Sequence, residues 1–442
     1  MKKLLAIVTG LVLAGMGSAM AADGELIEGV FDRSVIYPGT ERDYKVYVPA
    51  QYDGKTPACL YFGLDGILYN AVEVMDSLMA TGDMPVTIGV FIQPGVIKDS
   101  DGNVIRYNRS NEFDRTDGRF ASFIETEILP MVESLKTSDG RQVLISHDAN
   151  DRAISGASSS GIASFNVAWQ RPDLFSRVYT TCGTFVAMRG GNELPALVRK
   201  SEPKPIRVYI HDGSNDAWNP LFGHWYEYNR LMASALEFAG YEHHAKWDDG
   251  NHSIRNGSRL FPEAMRYLWK GYPERVDAGT SQNNMLTGLL IPGEQWRECD
   301  GVMPEPASNV AVYPDGKHVT ETEPGSDWLV NHVMDRDGNR VHGQQFYWIH
   351  NPLHRNQRIS GMVYDTGGNL YVATEIGIQV CDQNGRVRAI LPYPEAACAD
   401  AFSFAGDTLY VVCGGRLYCR KVNATAHRNG DAPVAPASQG QG

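Results

Sequence analysis

Short apolar runs alternate with amphipathic stretches between residues 24 and 276. The apolar runs are bounded by Gly, Pro and Asp, which is typical of strands covered on both faces. They predict strands at Tyr44–Val48, Cys59–Phe62, Val86–Phe91, Arg152–Ser155, Val178–Cys182, Ile206–Ile210 and His244–Trp247. The amphipathic stretches predict helices that include Phe120–Leu135, Gly161–Gln170, Gly223–Ala239 and Leu260–Lys270. Strands that alternate with helices predict a three-layer α/β domain with a mostly parallel central sheet.

The pattern changes after Gly271-Tyr272-Pro273. Residues 277–300 are rich in Gly, Ser and Asn and predict a linker. Beyond it, alternating or aromatic runs are separated by Asp, Asn and Gly turns with almost no helical periodicity, which predicts an all-β domain over residues 301–423. Residues 424–442 consist largely of Ala, Pro, Ser, Gly and Gln and predict a disordered tail.

The composition is that of a packed globular protein. The chain has 442 residues, of which 43% are apolar and 21% charged. This length suggests two or three domains, and we take two as the working count. The net charge of −12, with no basic run beyond the N-terminal lysines, argues against nucleic-acid partners and against binding to acidic membrane surfaces.

The N-terminus has the pattern of a secretory signal. Lys2 and Lys3 precede an apolar stretch from Leu4 to Met16, and small residues follow it up to Ala21. The apolar stretch is shorter than the ~20 residues that span a bilayer. We therefore expect residues 1–21 to be removed and the protein to be periplasmic or secreted, with no membrane anchor after cleavage.

The segment Gly156-Ala157-Ser158-Ser159-Ser160 follows a predicted strand and opens a predicted helix. A nucleophile elbow needs small residues two positions before and after its Ser, so that the hydroxyl projects above the sheet. Gly156 and Ser160 fill those positions around Ser158, although the usual pattern has Gly where this chain has Ser160. Taken alone, such a segment is equally compatible with a Ser/Gly-rich loop.

An acid and a histidine follow in the order that a serine hydrolase of this class requires. The strand Ile206–Ile210 leads to Asp212 and Asp216, and the strand His244–Trp247 leads to His252. Loops at the carboxyl ends of parallel strands meet at one edge of the sheet. We predict that His252 is the general base for Ser158 and that Asp216 orients it, while Asp212 caps its own turn.

Acyl transfer also requires donors for the oxyanion. The backbone N–H of Ser159, directly after the nucleophile, is one predicted donor, and that of Leu64 or Asp65 in the loop after an early strand is the other. This chemistry needs no cofactor. The histidines of His243-His244 could join Asp248, Asp249 and His252 in a metal site, but the helical i, i+4 His pair is missing, so we predict strand residues and no metal.

The seven cysteines are widely spaced and form no C-x-x-C motif, which argues against zinc ribbons and thioredoxin-like redox sites. Cys59 and Cys182 lie in apolar runs and are predicted to be buried. A disulfide among the cysteines from Cys381 to Cys419 is an open alternative, and no pairing follows from the sequence.

Several short motifs together resemble the esterase D branch of the α/β-hydrolases, which includes enterochelin, feruloyl and acetyl-xylan esterases. The resemblance spans about residues 30–272 and implies Ser158, Asp216 and His252 as the triad. The motifs are Gly63-Leu64-Asp65-Gly66 with Tyr69, Arg109-Ser110-Asn111-Glu112-Phe113, Glu127-Ile128-Leu129-Pro130, Gly156-x-Ser158-x-Ser160-Gly161, Asp212-Gly213-Ser214-Asn215-Asp216 and Gly250-Asn251-His252-Ser253.

Four side chains are candidates for a substrate pocket. Arg109 and Glu112 match a loop that lies near the active site in that branch, without an implied catalytic role. Trp218 and Trp225 follow the acid loop and could line an acyl pocket, although aromatic residues at helical spacing also suit a core.

Residues from about 300 to 423 resemble part of a β-propeller of the gluconolactonase and regucalcin type, notably at Gly361–Val372 and Gly377–Asp382. A blade takes ~40–45 residues and propellers have ~4–8 blades, so this length provides only about three. Ser360 also stands where such relatives place a metal-binding Asp. We therefore expect a non-catalytic partial propeller that packs on the hydrolase, helps to build its cleft or mediates homo-oligomerisation.

The sequence thus predicts an exported serine esterase that acts on a small-molecule or polysaccharide-linked ester. Feruloyl or acetyl esters of plant polysaccharides and siderophore esters are not distinguished. An inactive binding protein and a metal-dependent lactonase in the C-terminal part remain the alternatives.

Overall fold

A computed structural model of the protein describes residues 24–353, 355–395 and 399–439. The expected signal segment and Cys398 lie outside the described residues. None of the helices in the described part of the chain is long and apolar enough to cross a membrane.

Residues 24–276, which we term the N-terminal part, alternate strands and helices. The strands are β1 (Glu25–Phe31), β2 (Arg42–Val48), β3 (Cys59–Leu64), β4 (Thr87–Ile92), β5 (Val96–Lys98), β6 (Val104–Tyr107), β7 (Arg152–Ala157), β8 (Arg177–Thr181), β9 (Arg207–Asn215), β10 (Trp218–Asn219), β11 (Gly223–His224) and β12 (Glu242–Asn251). The helices are α1 (Ala71–Thr81), α2 (Arg109–Phe113), α3 (Arg119–Phe123), α4 (Leu129–Glu133), α5 (Ser159–Gln170), α6 (Leu194–Lys200), α7 (Trp225–Phe238) and α8 (Ile254–Trp269).

The central sheet has eight strands in the order β1-β2-β4-β3-β7-β8-β9-β12. The first two pairings, β1 with β2 and β2 with β4, are antiparallel, and the remaining pairings are parallel. Every residue of β3, β4, β7 and β8 is buried. This explains the near-continuous apolar runs and confirms the predicted mostly parallel sheet.

Apolar residues on the two faces of the sheet enter separate cores. Leu60 and Phe62 of β3 belong to one core with α5 and α7, whereas Tyr61 belongs to the other with α1 and α8. The predicted three-layer arrangement is thereby confirmed. The predicted helix Phe120–Leu135 is instead α3 and α4 joined by a π-helical turn at Ile124–Ile128.

Residues 277–439, the C-terminal part, are mostly antiparallel strands. The elements are α9 (Asn284–Leu289), β13 (Arg297–Glu298), β14 (Val310–Val312), β15 (His318–Thr322), β16 (Trp328–Met334), β17 (Arg340–Trp348), β18 (Gly361–Asp365), β19 (Leu370–Thr374), β20 (Gly377–Cys381), β21 (Val387–Leu391), β22 (Ala401–Ala405), β23 (Thr408–Cys413), β24 (Arg416–Lys421) and β25 (Ala426–His427). They form sheets β14-β15-β16-β17, β21-β20-β19-β18-β25 and β13-β24-β23-β22. The predicted all-β character is confirmed.

Two boundaries differ from the sequence prediction. The expected linker contributes α9 and β13, and β13 pairs with β24. The expected disordered tail is wrong for residues 424–439, because β25 pairs with β18 and the side chain of Gln439 bonds to Asn369. Its low apolar content suggested a solvated tail, but hydrogen bonds to turns of the sheet hold it in place.

Candidate active site

Ser158 lies at the tight turn between β7 and α5. Its backbone has φ 60° and ψ −122°, which is a strained conformation for a residue other than Gly. A Cβ on Gly156 would lie 2.2 Å from the carbonyl oxygen of Ser160, so this position requires glycine. The local sequence therefore produces the turn that an exposed nucleophile needs.

Ser160 replaces the usual glycine without opening this turn. Its side chain is fully buried, and its Oγ accepts a hydrogen bond from the Ala157 N–H at 2.8 Å. The same Oγ lies 2.7 Å from Asp65 Oδ2 and 2.7 Å from the Ala157 carbonyl oxygen, to one of which it donates. The hydroxyl thus bonds across the turn that it belongs to.

The structure brings Ser158, His252 and Asp216 together in one hydrogen-bonded line. His252 follows β12, and its Nε2 lies 2.8 Å from Ser158 Oγ. Its Nδ1 lies 2.6 Å from Oδ1 of Asp216, which follows β9. A carboxylate can only accept, so Nδ1 carries the hydrogen and Nε2 is left to accept from the serine hydroxyl.

Asp216 is held in its charged form. Its side chain is fully buried, which by itself would raise its pKa, but hydrogen bonds from His252 and from neighbouring groups lower the pKa below its ordinary value. His252 is about one-third exposed at 34%. The histidine therefore faces solvent at the nucleophile and buried negative charge on its other side.

Asp212 caps its own turn, as predicted, and also has a contact that the sequence did not indicate. Its Oδ1 accepts from the Gly213 N–H, as the turn-capping prediction requires, but its carboxyl group also contacts Asp216. Burial, followed by the hydrogen bond and the charge of Asp216, raises the pKa of Asp212 to about 10.

The residues predicted to supply oxyanion donors lie beside the elbow. Ser159 is the first residue of α5, where backbone N–H groups have no acceptor within the helix. Leu64 ends β3, which pairs with β7, and Asp65 follows it. The contact between Asp65 and Ser160 holds this loop against the elbow. Donation by these amides to an oxyanion stays a prediction.

Arg109 contacts the loop after β3 and the strand residue before the nucleophile. Its Nε and Nη2 donate to the two carboxylate oxygens of Asp65 at 2.8 and 2.7 Å, and Nη2 is 3.4 Å from the Ala157 carbonyl oxygen. The Asp65 side chain therefore links Arg109 to Ser160, a role that the sequence argument did not assign to it.

The prediction that Glu112 lines a substrate pocket is wrong. Its side chain is fully buried and pairs with the equally buried guanidinium of Arg42, with contacts of 2.6 and 3.0 Å. Asn108 and the Gly95 N–H also donate to it. Both carboxylate oxygens therefore accept hydrogen bonds inside the protein, and the Arg42 donors come from a strand 70 residues earlier in the chain.

The two tryptophans have different environments. Trp218 is 65% exposed on the β10–β11 hairpin directly after Asp216, so it is available to a ligand. Trp225 is 7% exposed, and its ring lies edge-on to His252 with 5.8 Å between ring centres. Trp225 therefore supports the histidine rather than forming an open pocket wall.

Thr184 is a neighbour of the nucleophile that was not predicted from the sequence. Its Oγ1 accepts from Trp225 Nε1 at 3.2 Å and lies 3.4 Å from Ser158 Oγ. The Thr184 backbone N–H also donates to the Ser158 carbonyl oxygen. It reaches the site through a loop after β8, and no sequence motif marks it.

The histidine-rich segment does not converge on a metal site. His243 and His244 lie in β12, as predicted, and Asp248 pairs with His211. Among the described residues, only Cys182, Asp216 and His252 bring three ligand atoms within 4.8 Å of one another. Two of these three bond to each other, and burial raises the pKa of the Cys182 thiol, which keeps it protonated.

Comparison with known proteins gives one matching family and several solved structures of low similarity. Residues 36–265 match the family model Esterase, described as "Putative esterase". No curated protein matches. A solved ferulic acid esterase is 17% identical, with a TM-score of 0.43, over 56% of this chain and 97% of its own. The enterobactin esterase of Shigella flexneri is also 17% identical, with a TM-score of 0.43, over 56% of this chain and 60% of its own. The feruloyl esterase module of Clostridium thermocellum is 14% identical, with a TM-score of 0.40, over 57% of this chain and 90% of its own.

Proposed function

Because the chain belongs to this esterase family and is a carboxylic ester hydrolase with an α/β-hydrolase-like fold, we propose that Ser158, His252 and Asp216 perform the reaction through an acyl-enzyme. The observation that carries the proposal is the unbroken line of contacts, 2.8 Å from Ser158 Oγ to His252 Nε2 and 2.6 Å from His252 Nδ1 to Asp216 Oδ1.

In the first half-reaction, His252 Nε2 removes the hydroxyl proton as Ser158 Oγ attacks the ester carbonyl carbon. Asp216 stabilises the imidazolium that results, and the backbone N–H groups of Ser159 and of Leu64 or Asp65 receive the oxyanion. His252 then returns the proton to the departing alkoxide. In the second half-reaction, His252 removes a proton from a water molecule as that water attacks the carbonyl carbon of the acyl-enzyme. His252 then returns the proton to Ser158 Oγ as the carboxylic acid leaves.

We propose that the substrate is an ester with an aromatic or small acyl group, such as a feruloyl or acetyl ester of a plant polysaccharide. The exposed Trp218 and Leu221 lie on the hairpin after Asp216 and offer apolar surface beside the triad. A siderophore ester is the second candidate, since the exposed guanidinium of Arg189, which donates to Ser110 of α2, favours an anionic acyl group.

A substrate panel tests this proposal. The parent protein and Ser158→Ala are compared on methyl ferulate, p-nitrophenyl acetate and a catechol siderophore lactone. We expect the parent to prefer the feruloyl or acetyl ester and Ser158→Ala to lose at least about 10³-fold in kcat, because the nucleophile is gone. Preference for the siderophore lactone would select the second candidate, and a parent that cleaves none of the esters would favour a binding protein.

We propose that the C-terminal part is a non-catalytic partial propeller and that the protein is exported. The three antiparallel sheets support the first proposal, and the sequence of residues 1–21 supports the second. In the described residues of this part, no three His, Cys, Asp or Glu side chains bring their ligand atoms within 4.8 Å of one another. Metal independence predicts unchanged hydrolysis after treatment with EDTA. Export predicts a mature N-terminus at Ala22. Light scattering measures the mass in solution and so tests homo-oligomerisation.

A further inference from the structure

Two buried carboxyl groups lie in contact beneath His252. Asp212 is 1% exposed and Asp216 is 6% exposed, and the contact between their carboxyl groups raises the pKa of Asp212 and lowers that of Asp216. Ionised carboxylates are acceptors only, so two of them cannot bond. The contact therefore requires a proton between them.

The remaining partners of Asp216 show where that proton is needed. Oδ1 accepts from His252 Nδ1 and from the Ala217 N–H. Oδ2 is buried and has no donor when both acids are ionised. A neutral Asp212 would supply the missing donor, whereas a buried acceptor without a donor would destabilise the folded protein.

The surrounding charges favour a proton on Asp212 rather than on Asp216. Asp216 faces His252, which becomes positive during the reaction, whereas the hydrogen-bond donors to Asp212 are the neutral Gly213 N–H and the Asn229 amide. The other titratable neighbours are His211 and Cys182. Burial lowers the pKa of His211 and raises that of Cys182, so neither adds charge near neutral pH.

We propose that Asp212 is a neutral carboxylic acid in the working enzyme and donates its proton to Asp216, which makes it a positioning residue for the triad. This inference rests on the proposed role of Asp216. The Asp212 hydroxyl holds the second oxygen of Asp216, so that the first oxygen stays on His252 Nδ1. The pair then carries one negative charge, which matches the single positive charge of the imidazolium. The raised pKa of Asp212, about 10, agrees with this assignment.

The surroundings provide a matched pair of variants. In Asp212→Asn, the amide stays neutral and still donates to Asp216. It can no longer accept from Asn229 Nδ2, but that group has two hydrogens and keeps the carbonyl oxygens of Gly183 and Trp225 as acceptors at 2.8 and 3.0 Å. Asp212→Leu has a similar shape and no donor.

Kinetics and infrared spectroscopy of the full-length protein test the proposal together. We expect Asp212→Asn to keep kcat and KM within about threefold of the parent values, and Asp212→Leu to lose about tenfold or more in kcat at similar KM, because Asp216 and His252 are no longer aligned. The infrared difference spectrum, parent minus Asp212→Asn, at neutral pH should contain the carbonyl band of a neutral carboxylic acid.

The absence of this band, or a loss in Asp212→Asn as large as in Asp212→Leu, would overturn the proposal. The same applies if EDTA abolishes activity, because a cation would then bridge the two carboxylates. If Asp212→Leu does not fold, the infrared comparison of the other two proteins decides. The result is separable from the proposed function, because active parent and inactive Ser158→Ala support the triad whatever the state of Asp212.

Discussion

At the scale of single residues, the site depends on how each polar atom is paired. Both ring nitrogens of His252 are engaged, by Ser158 and by Asp216, and the Trp225 ring lies against its edge. The imidazole is therefore fixed in one tautomer before substrate arrives. Fixing the base in advance lowers the reorganisation that the reaction requires.

Asp212 makes the stability of the protein depend on pH. Its pKa is 3.8 in an ordinary environment and about 10 in the folded protein, so between these values the folded state binds one more proton than the unfolded state. The free energy of unfolding that it contributes is therefore present in acid and is lost as the pH rises. We predict that Asp212→Asn becomes progressively more stable than the parent between pH 5 and 9, as measured by thermal unfolding. A difference in Tm that does not change with pH would contradict this.

The residue scale also shows what the sequence could and could not predict. Ser158, Asp216 and His252 are recognisable because each follows a strand in a fixed order along the chain. Thr184 and Asn229 reach the site through contacts that only the folded sheet creates.

At the scale of elements, the turn from β7 to α5 is supported by the side chains that surround it. Ser160 bonds to Ala157 within the turn and contacts Asp65 in the loop after β3, and Arg109 at the start of α2 holds Asp65. Three elements that are far apart in the sequence thus fix one strained backbone. The motif pattern alone suggested only that Ser160 was small enough.

We predict that Ser160→Ala lowers the free energy of unfolding by ~1–3 kcal/mol, because the buried Ala157 N–H loses its acceptor. Reduced kcat should accompany this loss as the elbow relaxes. Urea unfolding and ester kinetics measure the two effects. The control is Ser164→Ala in the same helix, which removes a buried hydroxyl that donates to backbone carbonyl oxygens and should cost less. Equal losses in both variants would argue against a special role for Ser160.

The Arg42–Glu112 pair joins β2 to α2 inside the protein. We predict that Glu112→Leu lowers the free energy of unfolding by ~3–5 kcal/mol, because it leaves the buried guanidinium unpaired. KM should stay unchanged in the folded fraction, since the Glu112 side chain is fully buried. Asp83→Asn, which breaks the exposed pair with Arg266, is the control with a much smaller effect. A raised KM in Glu112→Leu with an unchanged free energy of unfolding would indicate that Glu112 lines the substrate pocket.

At the scale of the whole molecule, the C-terminal part is joined to the N-terminal part by buried contacts. Arg420 of β24 donates to both carboxylate oxygens of Glu202 at 2.7 and 2.8 Å, and its side chain is 2% exposed. The Glu202 N–H donates to the carbonyl oxygen of Ile390 in β21. Apolar residues of both parts also belong to one core. The sequence predicted the change from α/β to all-β, but not this junction, because its partners lie more than 180 residues apart.

We predict that Glu202→Leu lowers the free energy of unfolding by ~3–5 kcal/mol, because Arg420 stays buried without its partner. Loss of ester hydrolysis and loss of circular dichroism should coincide in one transition in the parent, since the two parts share a core. Glu298→Gln, at an exposed pair with Arg416, is the control expected to change little. Two well-separated transitions in the parent would show that the parts unfold independently.

Labelling with a fluorophosphonate tests the central claim most directly, because this reagent needs an activated serine and no knowledge of the substrate. Intact-mass measurement and peptide mapping should find one adduct on the parent protein, at Ser158, and none on Ser158→Ala. An unlabelled parent, or an adduct on another residue that persists in Ser158→Ala, would contradict the assignment of Ser158 as the nucleophile.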